Sequence, residues 1–274
     1  MILVNGQAQD YIAVADRGLH YGDGLFETIA VTAGRPRLWD RHWRRLSTAC
    51  RRLGIAQPDP EILGEEARRV CTGVDQGVLK IILTRGEGGR GYRPMQTGRA
   101  TRIMAMYPWP DYSEANWLRG VAVRVCATRL GGNPALAGMK HLNRLEQVLA
   151  RSEWDDPHIA EGLMLDNDGH VIAGTMSNLF IVTAQGLRTP VLAACGVAGV
   201  MRSVILDLAA ELDLAWEEAP LRLEDLHRAD EVFLTNALIG VWPVRRIEQR
   251  DYSVGSLTEL LGGRLKALLG TISG

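Results

Sequence analysis

Tight glycine turns between runs of alternating apolar residues set the first limit on this chain. "MILVNGQAQ" reads as a strand, an Asn5-Gly6 turn and a returning strand. "LFETIAVTAGRPRLW" alternates in the same way and predicts a second hairpin, turning at Gly34-Arg35. "EGLMLDNDGHVIAG" predicts another with an Asn-Asp-Gly turn, and "GVLKIILTR", "ATRIMAMY", "GVAVRVCAT", "SNLFIVT" and "ADEVFLTNAL" are further strands. Helical spacing opens at Asp40 as N-cap and stops at Gly54, then recurs over "DPEILGEEARRVCTG" between Asp59 and Gly73. Two more helices are expected over "GVMRSVILDLAAELDL" and "SLTELLGGRLKALLG". Strands and helices mixed without a βαβ beat point to an α+β chain of two domains. "PWPDY" breaks the pattern, so we expect an N-terminal α/β domain over 1–107, a linker over 108–116 and a C-terminal domain over 117–274.

With 274 residues the chain can give each domain a core of its own. Apolar residues make up 46% and charged ones 23%, the balance of a globular enzyme or binding protein. A formal net charge of −1 gives no overall field, so neither nucleic acid nor membrane is expected as a partner. Cys50, Cys71, Cys126 and Cys195 form no CxxC pair and read as reduced core thiols of a cytoplasmic protein. The opening residues lack the basic start and apolar run of a signal peptide, and no uninterrupted apolar stretch approaches the length of a membrane span.

Among the motifs, "GEGGRG" at 86–91 has dinucleotide-binding spacing, but "YRPMQTG" after it cannot open a helix and no acid follows about 20 residues on. It reads instead as a glycine-rich loop presenting Arg90, Tyr92 and Arg93 beside a cleft. The six histidines show no metal-ligand spacing, so no metal is expected, and His42 reads as a surface or packing residue. Arg45 lies on a helix whose other face is apolar. In "GVAGVMR" at 196–202, small residues lead into a helix N-terminus, where free N–H groups favour a phosphate.

Lys140, in "GMKHLNRLEQ", is either a solvated charge or a half-buried amine held for chemistry. An exposed lysine holds only about 0.1% neutral amine at physiological pH, so a nucleophilic role demands special surroundings. One lysine, one phosphate-ready helix start and one arginine-bearing helix are the parts that hold pyridoxal 5′-phosphate.

Together, "HYGDGLFETIAV", "RHWRRLSTAC", "GGRGY", "NPALAGMKHLNRLEQVLAR", "SNLFIV", "GVAGVMR" and "ADEVFLTNALIGVWPV" resemble the fold-type IV pyridoxal-phosphate enzymes over residues 2–250. That group includes branched-chain aminotransferases, D-amino-acid aminotransferases and 4-amino-4-deoxychorismate lyase. "GGRGY", "LAGMKHLNRLEQ" and "NAL" are similar to the lyase branch, and a branched-chain aminotransferase would carry a tyrosine at Leu145.

The resemblance implies a small α/β N-terminal domain, a C-terminal domain with a barrel-like sheet, and a homodimer with pyridoxal 5′-phosphate in the cleft between domains. It also implies residue roles. Lys140 would carry the cofactor covalently and later move protons. Arg45, with the backbone at Val200-Met201 and Asn236-Ala237, would hold the phosphate. Thr28, Tyr92 and Arg90 or Arg93 would face the substrate.

The implied substrate is 4-amino-4-deoxychorismate, which would lose pyruvate to leave 4-aminobenzoate, a folate precursor. Its two carboxylates suit an arginine-bearing loop. An aminotransferase, or a cofactor-binding protein with little turnover, are the alternative readings. One position departs from the family pattern. A glutamate five residues ahead of Asn178 would pair with the pyridine nitrogen, and here that position is Ala173. Asp166 and Asp168, further up the same hairpin, are expected to lie too far away to replace it.

Overall fold

A computed structural model describes residues 1–94 and 98–270; residues 95–97, inside the "YRPMQTG" stretch, and 271–274 lie outside the described residues. The chain divides into two compact units. Met1–Pro110 joins with Met139–Asn143, and Asp111–Gly138 joins with the chain from Arg144 onward. Residues 139–143, expected within the 117–274 domain, thus cluster with the first unit.

In the first unit, β1 (Ile2–Val4) and β2 (Gln7–Ala8) turn at Asn5 and Gly6, both at positive φ (51° and 81°). That geometry selects Asn-Gly in a two-residue hairpin loop. After the short helix α1 (Arg17–Tyr21), β3 (Gly24–Thr32) and β4 (Arg35–Pro36) turn at Ala33-Gly34, one residue before the expected Gly34-Arg35. Helix α2 (Trp39–Leu53) also differs from expectation: its N-cap is Leu38, left-handed at φ 53° and without a side-chain cap bond. Asp40 lies inside the first turn instead, where an acid still complements the helix dipole. Helix α3 (Pro60–Cys71) does begin at Asp59, whose carboxylate accepts from the N–H groups of Glu61 and Ile62.

With β5 (Gln76–Thr84) and β6 (Thr101–Tyr107), the strands form a six-stranded antiparallel sheet ordered β2-β1-β6-β5-β3-β4. Leu25, Ile29, Val31, Leu79 and Leu83 share one face of it and are buried, as are Leu46 and Cys50 of α2 and Leu63 and Val70 of α3. Because β4 is only two residues long and pairs with Val31 and Thr32 alone, it leaves the first half of β3 as an open edge.

The second unit runs α4 (Ala115–Leu118), β7 (Val121–Leu130), α5 (Leu145–Arg151), β8 (Ile159–Asp166), β9 (Val171–Gly174), β10 (Asn178–Thr183), β11 (Gly186–Pro190), α6 (Val200–Glu211) and β12 (Trp216–Ala219). It continues with α7 (Leu223–Arg228), β13 (Glu231–Asn236), β14 (Gly240–Ile247), β15 (Arg250–Asp251) and α8 (Ser256–Leu269). Its nine-stranded sheet is ordered β12-β11-β10-β13-β14-β7-β8-β9, with β15 on β14. The β14/β7, β7/β8 and β11/β12 pairs are parallel and the rest antiparallel. β9 comes back beside β10 and β11, so the sheet curls into a barrel-like form around Leu163, Leu179, Ile181, Leu234 and Trp242.

All four cysteines are free and buried, as expected, and burial pushes their thiols up, Cys126 to about 12. Among the described residues no helix is long and apolar enough to cross a membrane.

Candidate active site

The open edge of β3 is taken up by the lysine segment. Phe26 N–H donates to the Lys140 carbonyl at 2.9 Å and Leu142 N–H donates to the Gly24 carbonyl at 3.0 Å, with Leu25 and His141 opposed as an antiparallel bridge. Lys140 lies in this bridged segment, five residues ahead of α5. Two glycines let the segment approach. A Cβ on Gly24 would lie 2.7 Å from Leu142 Cδ1, and Gly22, left-handed at φ 60°, packs against Asn143. Asn143 Nδ2 donates back to the Gly22 carbonyl at 3.0 Å.

Side chains alternate along β3, so Phe26 and Thr28 share one face, opposite Ile82 and Lys80 of β5. Lys140 Nζ lies on this face, 4.2 Å from the centre of the Phe26 ring, and Lys80 Nζ lies 5.5 Å from the same ring. The structure thus brings Lys140 and Thr28 to one surface of the first unit.

Glu27 points the other way and is 1% exposed. It accepts from Arg45 Nε at 2.8 Å and Arg45 Nη2 at 2.5 Å, and lies 2.6 Å from His42 Nδ1. Burial on its own would raise the Glu27 carboxyl; the Arg45 charge and the hydrogen bonds from His42 and Arg45 overcome it and hold the group at about 2. Arg45 is accordingly half-buried with its fork oriented from one side, and His42 is a buried partner in packing. Sequence reasoning passed over Glu27. Its signal was an acid between Leu25 and Ile29, on the apolar side of an alternating strand.

In the second unit, a buried carboxylate organises the loop between β9 and β10. Glu161, 1% exposed, accepts from the N–H groups of Gly162, Thr175 and Met176 and from the hydroxyls of Thr175 and Ser177, at 2.5–3.1 Å. The loop and the first residue of β10 then contact both segments expected to hold a phosphate. Asn236 Nδ2 donates to the Met176 carbonyl at 3.2 Å, and Asn178 Nδ2 donates to the Val197 carbonyl at 2.9 Å. Asn236 Oδ1 accepts from the N–H groups of Leu238 and Ile239, which fixes the turn holding Ala237.

Val200 and Met201 open α6 behind Gly199, an N-cap with no side chain to satisfy the first-turn N–H groups. A Cβ at Gly199 would fall 2.0 Å from Asn178 Oδ1, so any other residue there would push the Asn178 side chain aside.

Ala173, 7% exposed, packs with Cys126, Leu130, Met164, Ile172 and Cys195 and offers no acceptor. Asp166 is occupied at the hairpin tip, accepting from the N–H groups of Asp168 and His170. Arg90, Tyr92 and Arg93 are exposed, Tyr92 at 85%.

Residues 24–247 match the family described as Amino-transferase class IV. The chain belongs to this family. Aminodeoxychorismate lyase of Vibrio harveyi is 38% identical over 269 residues, 97% of this chain and 99% of the relative. The crystal structure of 4-amino-4-deoxychorismate lyase from Pseudomonas aeruginosa superposes with a TM-score of 0.96 at 46% identity, covering 99% of this chain and 100% of that one. Branched-chain amino acid aminotransferase of Escherichia coli superposes at 0.89 with 26% identity, over 98% and 94% of the two chains. The fold is the α+β fold-type IV architecture, and the family depends on pyridoxal 5′-phosphate.

Proposed function

We propose that this chain is a pyridoxal 5′-phosphate-dependent lyase that releases pyruvate from 4-amino-4-deoxychorismate and leaves 4-aminobenzoate. The observation that carries the reading is the seat of Lys140, pinned to the edge of β3 by two backbone bonds in a chain whose likeness to such lyases runs end to end. The sequence holds three lysines, 80, 140 and 266, and Lys140 alone lies in the motif shared with the family.

The residues present offer groups for the aldehyde and phosphate ends of the cofactor, while position 173 offers no carboxylate for its ring nitrogen. When bound, the cofactor supplies an electron sink next to the amine-bearing carbon. Lys140 Nζ would hold its aldehyde end and, as a free amine, would take the proton from the amine-bearing carbon of the substrate. Arg45 would hold the phosphate with a fork already oriented by Glu27, so less side-chain freedom would be lost on binding. The N–H groups at Val200-Met201 and the Asn236-Ala237 turn are the second unit's donors for a phosphate. Thr28 orients the substrate, and Arg90 or Arg93 with Tyr92 takes its carboxylates. We also place the enzyme in the cytoplasm as a homodimer, a reading favoured by the buried thiols and by an apolar face on α5.

The test combines borohydride reduction and peptide mapping of the yellow protein with an assay for pyruvate after addition of aminodeoxychorismate. A pyridoxyl group on Lys140 and release of pyruvate are expected. A label on Lys80 or Lys266 overturns the site, and amino transfer to a 2-oxo acid without pyruvate makes the chain an aminotransferase. Ala173 favours a second reading, a cofactor-binding protein with little turnover, which would turn yellow and release no pyruvate.

A further inference from the structure

Arg17 is a buried arginine that the reaction above does not use. It is 5% exposed, and each nitrogen of its guanidinium is committed within the first unit. Nε donates to Asp23 at 2.9 Å, Nη1 to the Gly91 carbonyl at 3.0 Å and Nη2 to the Tyr92 carbonyl at 2.9 Å. Asp23 is shared with Arg85, which donates to it through Nε and Nη2 at 2.7 and 3.0 Å.

The same short stretch holds the other end of the glycine-rich loop. Arg17 N–H donates to the Gly86 carbonyl at 2.9 Å, Gly88 N–H donates to the Ala15 carbonyl at 3.1 Å, and Asp16 opposes Glu87 as a bridge. Tyr21, beneath the Arg17 guanidinium at 4.8 Å, accepts from Gly91 N–H through its hydroxyl, and its ring lies 5.4 Å from that of Tyr92. A Cβ on Gly88 would stand 2.7 Å from Arg17 Cδ, so the loop is glycine where the arginine passes.

Burying an arginine is unfavourable unless its donors are satisfied. Here two of them are spent on carbonyls of a loop that otherwise exposes Arg90, Tyr92 and Arg93. We infer that Arg17 is a positioning residue that seats loop 86–93, so that its exposed cations meet a dicarboxylate substrate from a fixed backbone. The inference deepens the proposed function and rests on it for the identity of the substrate. The seat itself follows from the hydrogen bonds alone. A fixed loop loses less freedom on binding, so its effect belongs in KM.

The experiment compares Arg17→Lys and the milder Tyr21→Phe with the parent holoenzyme. Amide hydrogen exchange at residues 88–92 should quicken in both. KM for aminodeoxychorismate should rise at least about tenfold in Arg17→Lys and about two- to twelvefold in Tyr21→Phe, as expected for lost hydrogen bonds. Turnover at saturation and the cofactor absorbance should hold within about twofold, which a general folding defect would not allow.

Unchanged exchange at residues 88–92 in Arg17→Lys overturns the seat. A parallel loss of turnover, cofactor and KM in both variants overturns the positioning role. A parent enzyme that releases no pyruvate fails the lyase reading instead, and the exchange rates then decide the seat without it.

Discussion

Glu27 carries a charge in a place that excludes water, and the Arg45 and His42 side chains are what make that tolerable. Removing one partner of such a buried set costs about 3–5 kcal/mol, so Glu27→Gln should lower stability by that order at neutral pH. The pH dependence follows from the direction of the shift. A carboxyl lowered from 4.5 to about 2 stabilises fully above its unfolded value and loses that contribution as pH falls through the window between the two. In thermal melts of the cofactor-free proteins the gap between parent and variant should therefore narrow below pH 4.5. A gap that stays constant down to the lower end would remove the ion pair from the account.

Ala173 is the opposite case, a buried position without the charge that the chemistry calls for. Ala173→Glu should raise turnover by about 10- to 150-fold, the worth of one charge-assisted hydrogen bond to the ring nitrogen, with cofactor stoichiometry unchanged. Without cofactor the variant should melt lower, since the carboxylate enters a cluster of Cys126, Leu130 and Met164. A variant that is no faster makes alanine this chain's own solution. Ala173 was legible in the sequence because its place is counted five residues back along the chain from Asn178. Glu27 was not, because its partners lie on another element.

At the scale of elements, the lysine segment shows how local grammar and pairing divide the work. The string around Lys140 marks the residue, but its backbone bonds to β3 need the edge that the short β4 leaves uncovered. Gly199 makes a comparable point at the start of α6. Gly199→Ala would force Asn178 aside, and overpacking of this kind costs about 1–3 kcal/mol. It should also weaken retention of cofactor on dialysis, while Arg45 is untouched. Gly263 in α8 is the control. A Cβ there meets nothing within 4 Å, so Gly263→Ala should stabilise the protein by about 1 kcal/mol. If both glycines respond alike in melting temperature and cofactor retention, the close approach at Gly199 is not what holds the loop.

For the whole molecule, the proposed homodimer finds its support on α5. Leu145, Val148 and Leu149, three and four residues apart, are 76%, 61% and 58% exposed. A helix presenting such a stripe to water is expected to be covered by something. The double variant Val148→Asp with Leu149→Asp should shift light scattering from about twice the chain mass of 30.1 kDa to the chain mass itself. A parent protein that scatters as a monomer at every concentration, fully active, would end the dimer reading.

Much of this was settled by residues close together in the chain. The Asn5-Gly6 hairpin, the Asp59 cap, the helix of α6 and the four buried thiols follow from turn chemistry, capping and periodicity, all of which act over a few residues. The family, and the lysine we propose for its cofactor, were legible for the same reason, since a motif is itself a local string. What only the tertiary structure decided depends on residues far apart in sequence. It moved the start of α2 to Leu38, gave residues 139–143 to the first unit, paired Glu27 with His42 and Arg45, and set Arg17 under the loop at residues 91 and 92. The lysine segment depends on which strand edge is left open, and the Glu27 and Arg17 contacts on which charge is buried. Those are properties of packing, and no window along the sequence contains both partners.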